Sequence, residues 1–330
     1  MSTLKAVAKL ANVSVSTVSK YLNDDIKVRE DTKNRIETAL KEANYTKVPK
    51  QKRHHSKSIA IILPEVANTK FSVLVSYMLT EAMSKGYTVM TFTTKNSSVT
   101  ETIIVDEIIQ LGVAGAILIT EPQGKPSEEN LQKLKKAGVA VVSVNRDFYA
   151  NKYVSVCSDY YNSIKDVLYH FYSNGHRKIG LMLGWEKQSG NTEIFRAVKE
   201  VSEELEFDFD IMDNIYYTDY NKIKYRLGLE YFRNKGVNAV FTINDLMALE
   251  LLKSMKTHKL TYPDDLAVIA LTDNDNFDLL DVSALDTDSV MVAKISVKAV
   301  FDTLEGKPVD KYQVIRTKLI NRTSSMPNSK

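Results

Sequence analysis

The first 45 residues carry apolar side chains at helical spacing. The first set falls at positions i, i+3, i+4 and i+7, one face of a short helix: Leu4, Val7, Ala8 and Ala11. Ser14 has a hydroxyl that can cap a second helix over 15–22, in which Val18 and Leu22 turn inward. A third helix is predicted over 31–44, with an apolar face formed by Ile36, Ala39, Leu40 and Ala43.

From residue 59 onward, short apolar runs alternate with helical patterns. The runs predict strands at 59–63, 88–92, 116–119, 139–144, 178–183, 239–241 and 267–271. Near-continuous apolar strands separated by helices indicate parallel sheets that are buried on both faces. Two such sets predict two doubly wound α/β lobes. Ligands bind outside the carboxyl ends of the strands in such sheets, so a cleft between the lobes is expected.

The charge of the chain is unevenly distributed. The net charge is +3 over 330 residues, but residues 1–57 carry 13 basic against 6 acidic residues, or +7. The remainder carries 31 against 35, or −4. A basic end on an acidic body is typical of a polyanion-binding module attached to another domain. Charge alone does not choose between DNA, RNA and a membrane surface.

A length of 330 residues predicts two or three domains, and a content of 44% hydrophobic and 26% charged residues is typical of a globular protein. We expect a cytoplasmic protein from its cysteine content, its first residues and the length of its apolar stretches. The single cysteine, Cys157, excludes an intramolecular disulfide and fits a small buried side chain in a reducing compartment. Residues 1–5 lack the apolar run of a signal peptide, and no apolar stretch is long enough to cross a bilayer.

Two short helices joined by a tight turn and supported by a third form a helix-turn-helix arrangement. In that arrangement the second helix enters the major groove and presents its first residues to the bases. The candidates here are Val15, Ser16, Thr17, Ser19 and Lys20. Spacing and charge leave one alternative open, a small bundle that binds protein or nothing.

The run from Thr3 to Asn23 resembles the headpiece of the LacI/GalR family, whose recognition helix reads V-S-x-x-T-V-S-R-x-L-N. The resemblance adds Thr3, Leu4 and Asn23 to the expected DNA contacts. Lys20 stands where the family usually has arginine, and a lysine lacks the planar fork that makes a bidentate base contact.

The linker, residues 46–57, holds five basic residues, two histidines and no acid. The family usually has a hinge helix here that places a leucine in the minor groove, but this sequence lacks the A-R-x-L segment. Lys50 and Arg53 are the candidates to follow the DNA phosphates by charge. The alternative is a solvated tether.

The family resemblance continues through the body. It is carried by 156–159, by Gly175-His176-Arg177, and by the segments 238–249, 263–269 and 318–324. It implies the fold of the periplasmic sugar-binding proteins, with crossovers between lobes near Ser158, Asp286 and Ile315. The expected division is a headpiece at 1–45, a linker at 46–57 and an effector-binding and dimerisation body at 58–330. Lobe 1 takes about 58–157 and 287–314, and lobe 2 about 158–286 and 315–330.

The resemblance also implies an effector site in the cleft. Phe71 matches an aromatic that stacks on the ligand, and Lys70 beside it can pair with a phosphate. The other expected ligand contacts are Asn145, Arg146, Asp159, Asn191, Tyr220, Asn244 and Asp273. Asn191 replaces an arginine that many relatives use, and Thr272 replaces the first aspartate of an Asp-Asp pair.

Structural roles are the alternative for most of these residues. Phe71 can simply belong to the core, and the Asp and Asn residues can be caps or turn residues. His176, between a predicted helix and strand, is interpreted as structural. Trp185 either lines the cleft or closes a loop.

These patterns together predict a dimeric, sequence-specific transcriptional repressor that is controlled by a sugar or sugar phosphate. Its partners would be double-stranded operator DNA and the small effector, with no metal and no cofactor. The alternatives are a sugar-binding transport or sensing protein with an N-terminal interaction bundle, and an enzyme acting on a sugar. The enzyme hypothesis is weak because the sequence has no Walker loop, no GxGxxG after the first strand, no H-E-x-x-H and no serine elbow.

Overall fold

The computed structural model describes residues 4–22, 28–43, 56–66, 69–119, 128–145, 152–187, 191–205 and 210–326. The chain divides into two compact units, Met1–His55 and Ser56–Lys330. Within the described residues, no helix has the length and apolar character needed to cross a membrane.

The first unit consists of three helices: α1 (Leu4–Leu10), α2 (Val15–Leu22) and α3 (Glu30–Glu42). Their apolar faces form one small core of Val7, Ala8, Ala11, Val18, Ile36 and Ala39. The turn between α1 and α2 contains Asn12 with φ 53°, a left-handed conformation that asparagine tolerates. The predicted helices and core faces are confirmed where the structure describes them, although α3 ends at Glu42, before the predicted residue 44.

The second unit contains two six-stranded sheets. The first sheet has the strand order β11-β5-β4-β3-β1-β2. Its strands are β1 (Ser56–Leu63), β2 (Thr88–Thr93), β3 (Val113–Ile119), β4 (Ala140–Val144), β5 (Val154–Ser158) and β11 (Tyr312–Ile315). The helices that accompany this sheet are α4 (Thr69–Ser84), α5 (Ser98–Gln110), α6 (Glu128–Lys136) and α12 (Ser289–Leu304).

The second sheet has the order β12-β10-β9-β8-β6-β7. Its strands are β6 (Ile179–Leu183), β7 (Ile215–Tyr217), β8 (Ala239–Thr242), β9 (Ala267–Leu271), β10 (Ser283–Asp286) and β12 (Lys318–Ile320). Its helices are α7 (Tyr160–Ser173), α8 (Asn191–Glu204), α9 (Lys222–Asn234), α10 (Asp245–Thr257) and α11 (Asp275–Leu280). Short 3₁₀ turns lie at Ile211–Asn214 and Thr323–Ser325.

Each sheet is covered by apolar side chains on both faces. The central strands β3, β4, β6, β8 and β9 are buried along their whole length. Two separate clusters pack on the faces of the first sheet, and two more pack on the second. This burial explains why these strands read as continuous apolar runs, and it confirms the predicted α/β class with two doubly wound, mainly parallel sheets.

The chain passes between the lobes at the carboxyl ends of strands. It leaves the first sheet after Ser158 at the end of β5, and leaves the second after Asp286 at the end of β10. It crosses a third time between Ile315 and Lys318. Because these connections start at carboxyl ends, the carboxyl edges of the two sheets face each other.

Candidate nucleic-acid interface and ligand cleft

The start of α2 is the candidate nucleic-acid interface. Ser14 Oγ accepts a hydrogen bond from Thr17 N at 3.0 Å, which confirms the predicted cap. The same oxygen lies 2.7 Å from Ser16 Oγ and 2.8 Å from Thr17 Oγ1. Ser16 is exposed, and so is Val15, with 42% of its surface accessible. Buried Val18 fixes the opposite face of the helix, so the first turn presents small polar and apolar groups outward.

The other predicted DNA contacts are less fully described. Ser19 and Lys20 lie within α2, and Leu4 begins α1, but the positions of their side chains fall outside the described part of the chain. The same holds for the whole of Thr3, Asn23, Lys50 and Arg53. Their contacts with DNA therefore stay predictions.

A tyrosine that the sequence analysis did not single out holds α2 against α3. Tyr21 OH donates a hydrogen bond to Glu37 Oε1 at 2.8 Å. Tyr21 also packs against the core of the first unit. This contact joins residues 16 positions apart, beyond the reach of helical spacing, and it orients the helix that carries the candidate contacts.

On the first lobe, Lys70 and Phe71 lie in the first turn of α4, after the carboxyl end of β1. Phe71 is 5% exposed and belongs to the core cluster of that lobe. This agrees with the alternative in which Phe71 is a core residue. Lys70 Nζ donates a hydrogen bond to Tyr160 OH at the start of α7, and lies 4.9 Å from the centroid of that ring. The Lys70–Tyr160 contact therefore links a helix of the first lobe to a helix of the second.

Asn145 and Asp159 lie where strands of the first sheet end. Asn145 is buried, has φ 77°, and donates its backbone N–H to Val156 O at 2.9 Å. Arg146 lies outside the described residues. Asp159 caps α7 by accepting from Asn162 N at 3.2 Å, and its backbone N–H bonds Ile315 O at 2.9 Å. Asp159 thus sits where two of the crossover segments meet.

On the second lobe, Asn191 and Tyr220 surround the end of β6. Asn191 is 3% exposed and donates Nδ2 to Trp185 O and Glu186 O, at 3.0 Å each. Tyr220 has φ 54° and packs edge-to-face on Trp185, with the ring centroids 4.4 Å apart. The sequence analysis left the role of Trp185 open, and the structure pairs it with a predicted ligand contact.

Asn244 and Asp273 follow the ends of β8 and β9. Asn244 caps α10, because its Oδ1 accepts from Met247 N at 2.8 Å. Asp273 receives both Nη atoms of Arg322, at 2.9 Å each, and this hydrogen bond raises the pKa of Arg322. Arg322 lies in a segment that the sequence analysis quoted, but its pairing with Asp273 was not foreseen.

The structure therefore brings the predicted effector residues that it describes to the facing carboxyl edges of the two sheets. Asp159 and Asn244 also serve as caps, and Asp273 forms an ion pair, so their contacts with a ligand stay predictions. No cluster of three or more His, Cys, Asp or Glu side chains suited to a metal occurs in the described ranges.

Comparison with known protein families matches both ends of the chain. Residues 3–47 match the model for bacterial regulatory proteins of the lacI family. Residues 168–325 match the model for the periplasmic binding protein-like domain.

Individual proteins agree with these matches. The HTH-type transcriptional regulator GalR of Streptococcus thermophilus is 28% identical over 83% of this chain and 83% of its own length. A CelR–cellobiose complex has a TM-score of 0.72 with 20% identity, covering 98% of this chain and 99% of that chain. The lac repressor dimer bound to operator and the anti-inducer ONPF has a TM-score of 0.70 with 18% identity, covering 98% and 99%.

A helix-turn-helix unit followed by a two-lobed body of the periplasmic-binding-protein type defines a class of bacterial transcriptional regulators. The chain therefore carries a LacI-type helix-turn-helix domain and a periplasmic-binding-protein-like domain, and its relatives are LacI/GalR family regulators, as the resemblance of its motifs predicts.

Proposed function

We propose that the protein represses genes of carbohydrate utilisation, and that a sugar or sugar phosphate bound between the two lobes controls its affinity for operator DNA. The observation that carries the proposal is the pairing of a basic helix-turn-helix unit with two sheets whose carboxyl edges face each other. The ligand acts through its differential affinity for two arrangements of the lobes.

The proposed division of labour assigns DNA binding to the headpiece at 1–45 and the linker at 46–57. Ligand binding and dimerisation belong to the body at 58–330. A two-fold homodimer presents two headpieces to a palindromic operator. We expect this assembly to act in the cytoplasm, where its operator DNA is found.

The DNA part of the proposal is tested by gel shift with the DNA upstream of the protein's own gene. Replacing Ser16 and Lys20 together by alanine is expected to weaken operator binding by about 10-fold or more, because each base-edge contact contributes about 1–3 kcal/mol. Sugar binding should be retained. The control is Lys41→Ala, which removes one charge from the last turn of α3. Unchanged operator affinity in the double variant would contradict the proposal.

The effector class is supported by the aromatic and polar side chains at the facing edges, since a sugar packs its C–H face on an aromatic ring. The comparison adds a structure of similar fold that holds cellobiose. Thermal-shift screening with neutral sugars and their phosphates tests this part, because a ligand raises the stability of the state that it binds. If Lys70 contacts a phosphate, Lys70→Met should weaken the binding of phosphorylated sugars more than the binding of neutral sugars.

Sugar binding without any preference for a DNA duplex would instead favour a transport or sensing protein with an N-terminal interaction bundle. Turnover of the bound sugar would favour an enzyme. Both outcomes are visible in the same two assays once the sugar is recovered and analysed.

A further inference from the structure

Trp185 occupies a position that brings it to the proposed cleft. It follows β6, which ends at Leu183, and the carboxyl edge of that sheet faces the first lobe. Trp185 is half-buried and is therefore partly accessible to solvent. None of the contacts predicted from the sequence includes it.

The ring of Trp185 is held in a fixed relation to Tyr220. The two ring centroids lie 4.4 Å apart at an interplanar angle of 64°, a favourable edge-to-face geometry. Tyr220 can approach this closely only because residue 184 is glycine. A Cβ on Gly184 would lie 2.2 Å from the Tyr220 ring.

The backbone beneath the two rings is also fixed. Thr218 donates its Oγ1 to Leu183 O at 2.8 Å and its N–H to Gly184 O at 3.1 Å. Asp219 donates its N–H to Gly184 O at 3.0 Å. The segments that follow β6 and β7 are therefore tied together, so the aromatic pair is organised before a ligand arrives.

Asn191 binds the backbone of Trp185. Its buried amide donates to Trp185 O and to Glu186 O, both at 3.0 Å. An arginine at this position would place a guanidinium group at the cleft, whereas the asparagine amide donates both of its N–H groups to backbone carbonyl oxygens. These two hydrogen bonds hold the backbone segment that carries Trp185.

We propose that Trp185 and Tyr220 form an aromatic wall of the effector site on the second lobe, with Asn191 as a positioning residue. The wall takes the apolar C–H face of a sugar ring, which makes Trp185 a determinant of specificity. This inference rests on the proposed function and deepens it.

The test uses the full chain and begins with D-galactose, D-ribose, D-xylulose and cellobiose in a thermal-shift assay. For each sugar that raises the wild-type Tm, calorimetry then compares the wild type with Trp185→Ala and Trp185→Phe. Loss of the ring is expected to weaken binding by about 10-fold or more, and phenylalanine to restore most of the affinity. The control is Tyr312→Ala, which removes a half-exposed ring from β11 of the first sheet.

Fluorescence supplies a second readout, because Trp185 is the only tryptophan in the sequence. A bound sugar should protect its emission from quenching by acrylamide. Asn191→Ala should increase quenching in the absence of sugar and weaken sugar binding. Far-UV circular dichroism of the variants checks that they fold.

Equal sugar affinity in wild type and Trp185→Ala, with quenching unaffected by the sugar, would overturn the inference and leave the proposed function intact. A wild-type protein that none of the four sugars stabilises would contradict the proposed effector class, and the aromatic wall with it. The two failures are distinguishable because the second appears before any residue is changed.

Discussion

Single polar side chains hold distant parts of the second sheet together. Arg322 forms two parallel hydrogen bonds with Asp273, contacts Asp278, and donates to Val282 O at 2.7 Å. Only 11% of the Arg322 side chain is exposed. Breaking such a pair leaves a charge with little access to water, which costs more than the attraction alone.

Replacing Arg322 by methionine is expected to lower the free energy of unfolding by about 2 kcal/mol, because Asp273 then loses its bidentate partner. Urea unfolding of the full chain measures the change. The matched control is Lys199→Met, whose pair with Glu203 at 3.9 Å is exposed on both sides. It should cost less than about 0.5 kcal/mol. Equal losses in the two variants would contradict this ranking.

Two half-buried histidines are expected to make the stability of the body depend on pH. The pKa of His176 is lowered by burial, and His170 and Arg177 nearby act in the same direction. Burial also lowers the pKa of His170, whose Nε2 lies 2.8 Å from Ser325 Oγ. A depressed pKa in the folded state means that protons bind the unfolded chain more readily.

The folded state is therefore not penalised for keeping these histidines neutral above their ordinary pKa of 6.5. As the pH falls below 6.5 toward their lower folded pKa, protons bind the unfolded chain first and the free energy of unfolding decreases. The urea midpoint should drop between about pH 7.5 and pH 5.5. His176→Asn, which removes one titrating ring beside Asn238, should reduce that drop. A drop of the same size in the variant would show that other groups are responsible.

At the scale of the element, α2 depends on its first turn. The helix spans only Val15–Leu22, and isolated helices of this length are marginal in water. Its stability comes from the buried contact of Val18 and from the Ser14 cap. The same turn carries Val15 and Ser16, so capping and presentation of the candidate DNA contacts are coupled.

Ser14→Ala is expected to destabilise α2 by about 1 kcal/mol, which corresponds to roughly five-fold faster amide hydrogen exchange over 15–22. Ser14→Asp should restore most of the protection, because aspartate caps as well as serine. Thr38→Ala in the middle of α3 provides the control, since no helix end depends on Thr38. Unaltered exchange in Ser14→Ala would mean that packing alone maintains the helix.

At the scale of the whole molecule, charge separates the two functions. Residues 1–57 carry +7 and the rest carries −4, so attraction to a polyanion is concentrated at one end of the sequence. The acidic remainder disfavours binding of DNA along the body. Operator affinity should therefore depend on salt mainly through the headpiece and the linker.

Lys50→Ala and Arg53→Ala are each expected to reduce the slope of log affinity against log salt by about 0.9, the value for one phosphate contact on duplex DNA. Filter binding or fluorescence anisotropy at several salt concentrations measures the slope. Lys199→Ala, an exposed charge on α8, should leave it unchanged. If the linker variants behave like Lys199→Ala, the linker is a solvated tether.

The sequence by itself determined the elements whose patterns are strong. The three helices of the first unit were predicted from spacing, and the buried strands β3, β4, β6, β8 and β9 from their continuous apolar runs. Five strands were not foreseen: β5, β7, β10, β11 and β12. They are short or carry polar side chains, and they exist because a neighbouring strand supplies their hydrogen bonds.

Only the tertiary structure decided which side chains meet. Asp273 pairs with Arg322, 49 residues away, and Lys70 meets Tyr160, 90 residues away. Helical and strand periodicities relate residues a few positions apart, so neither periodicity predicts contacts over such distances along the chain. The sequence thus determined which residues line up along each element. Packing of the sheets determined that Trp185 contacts Tyr220 and that Asp273 is held by an arginine.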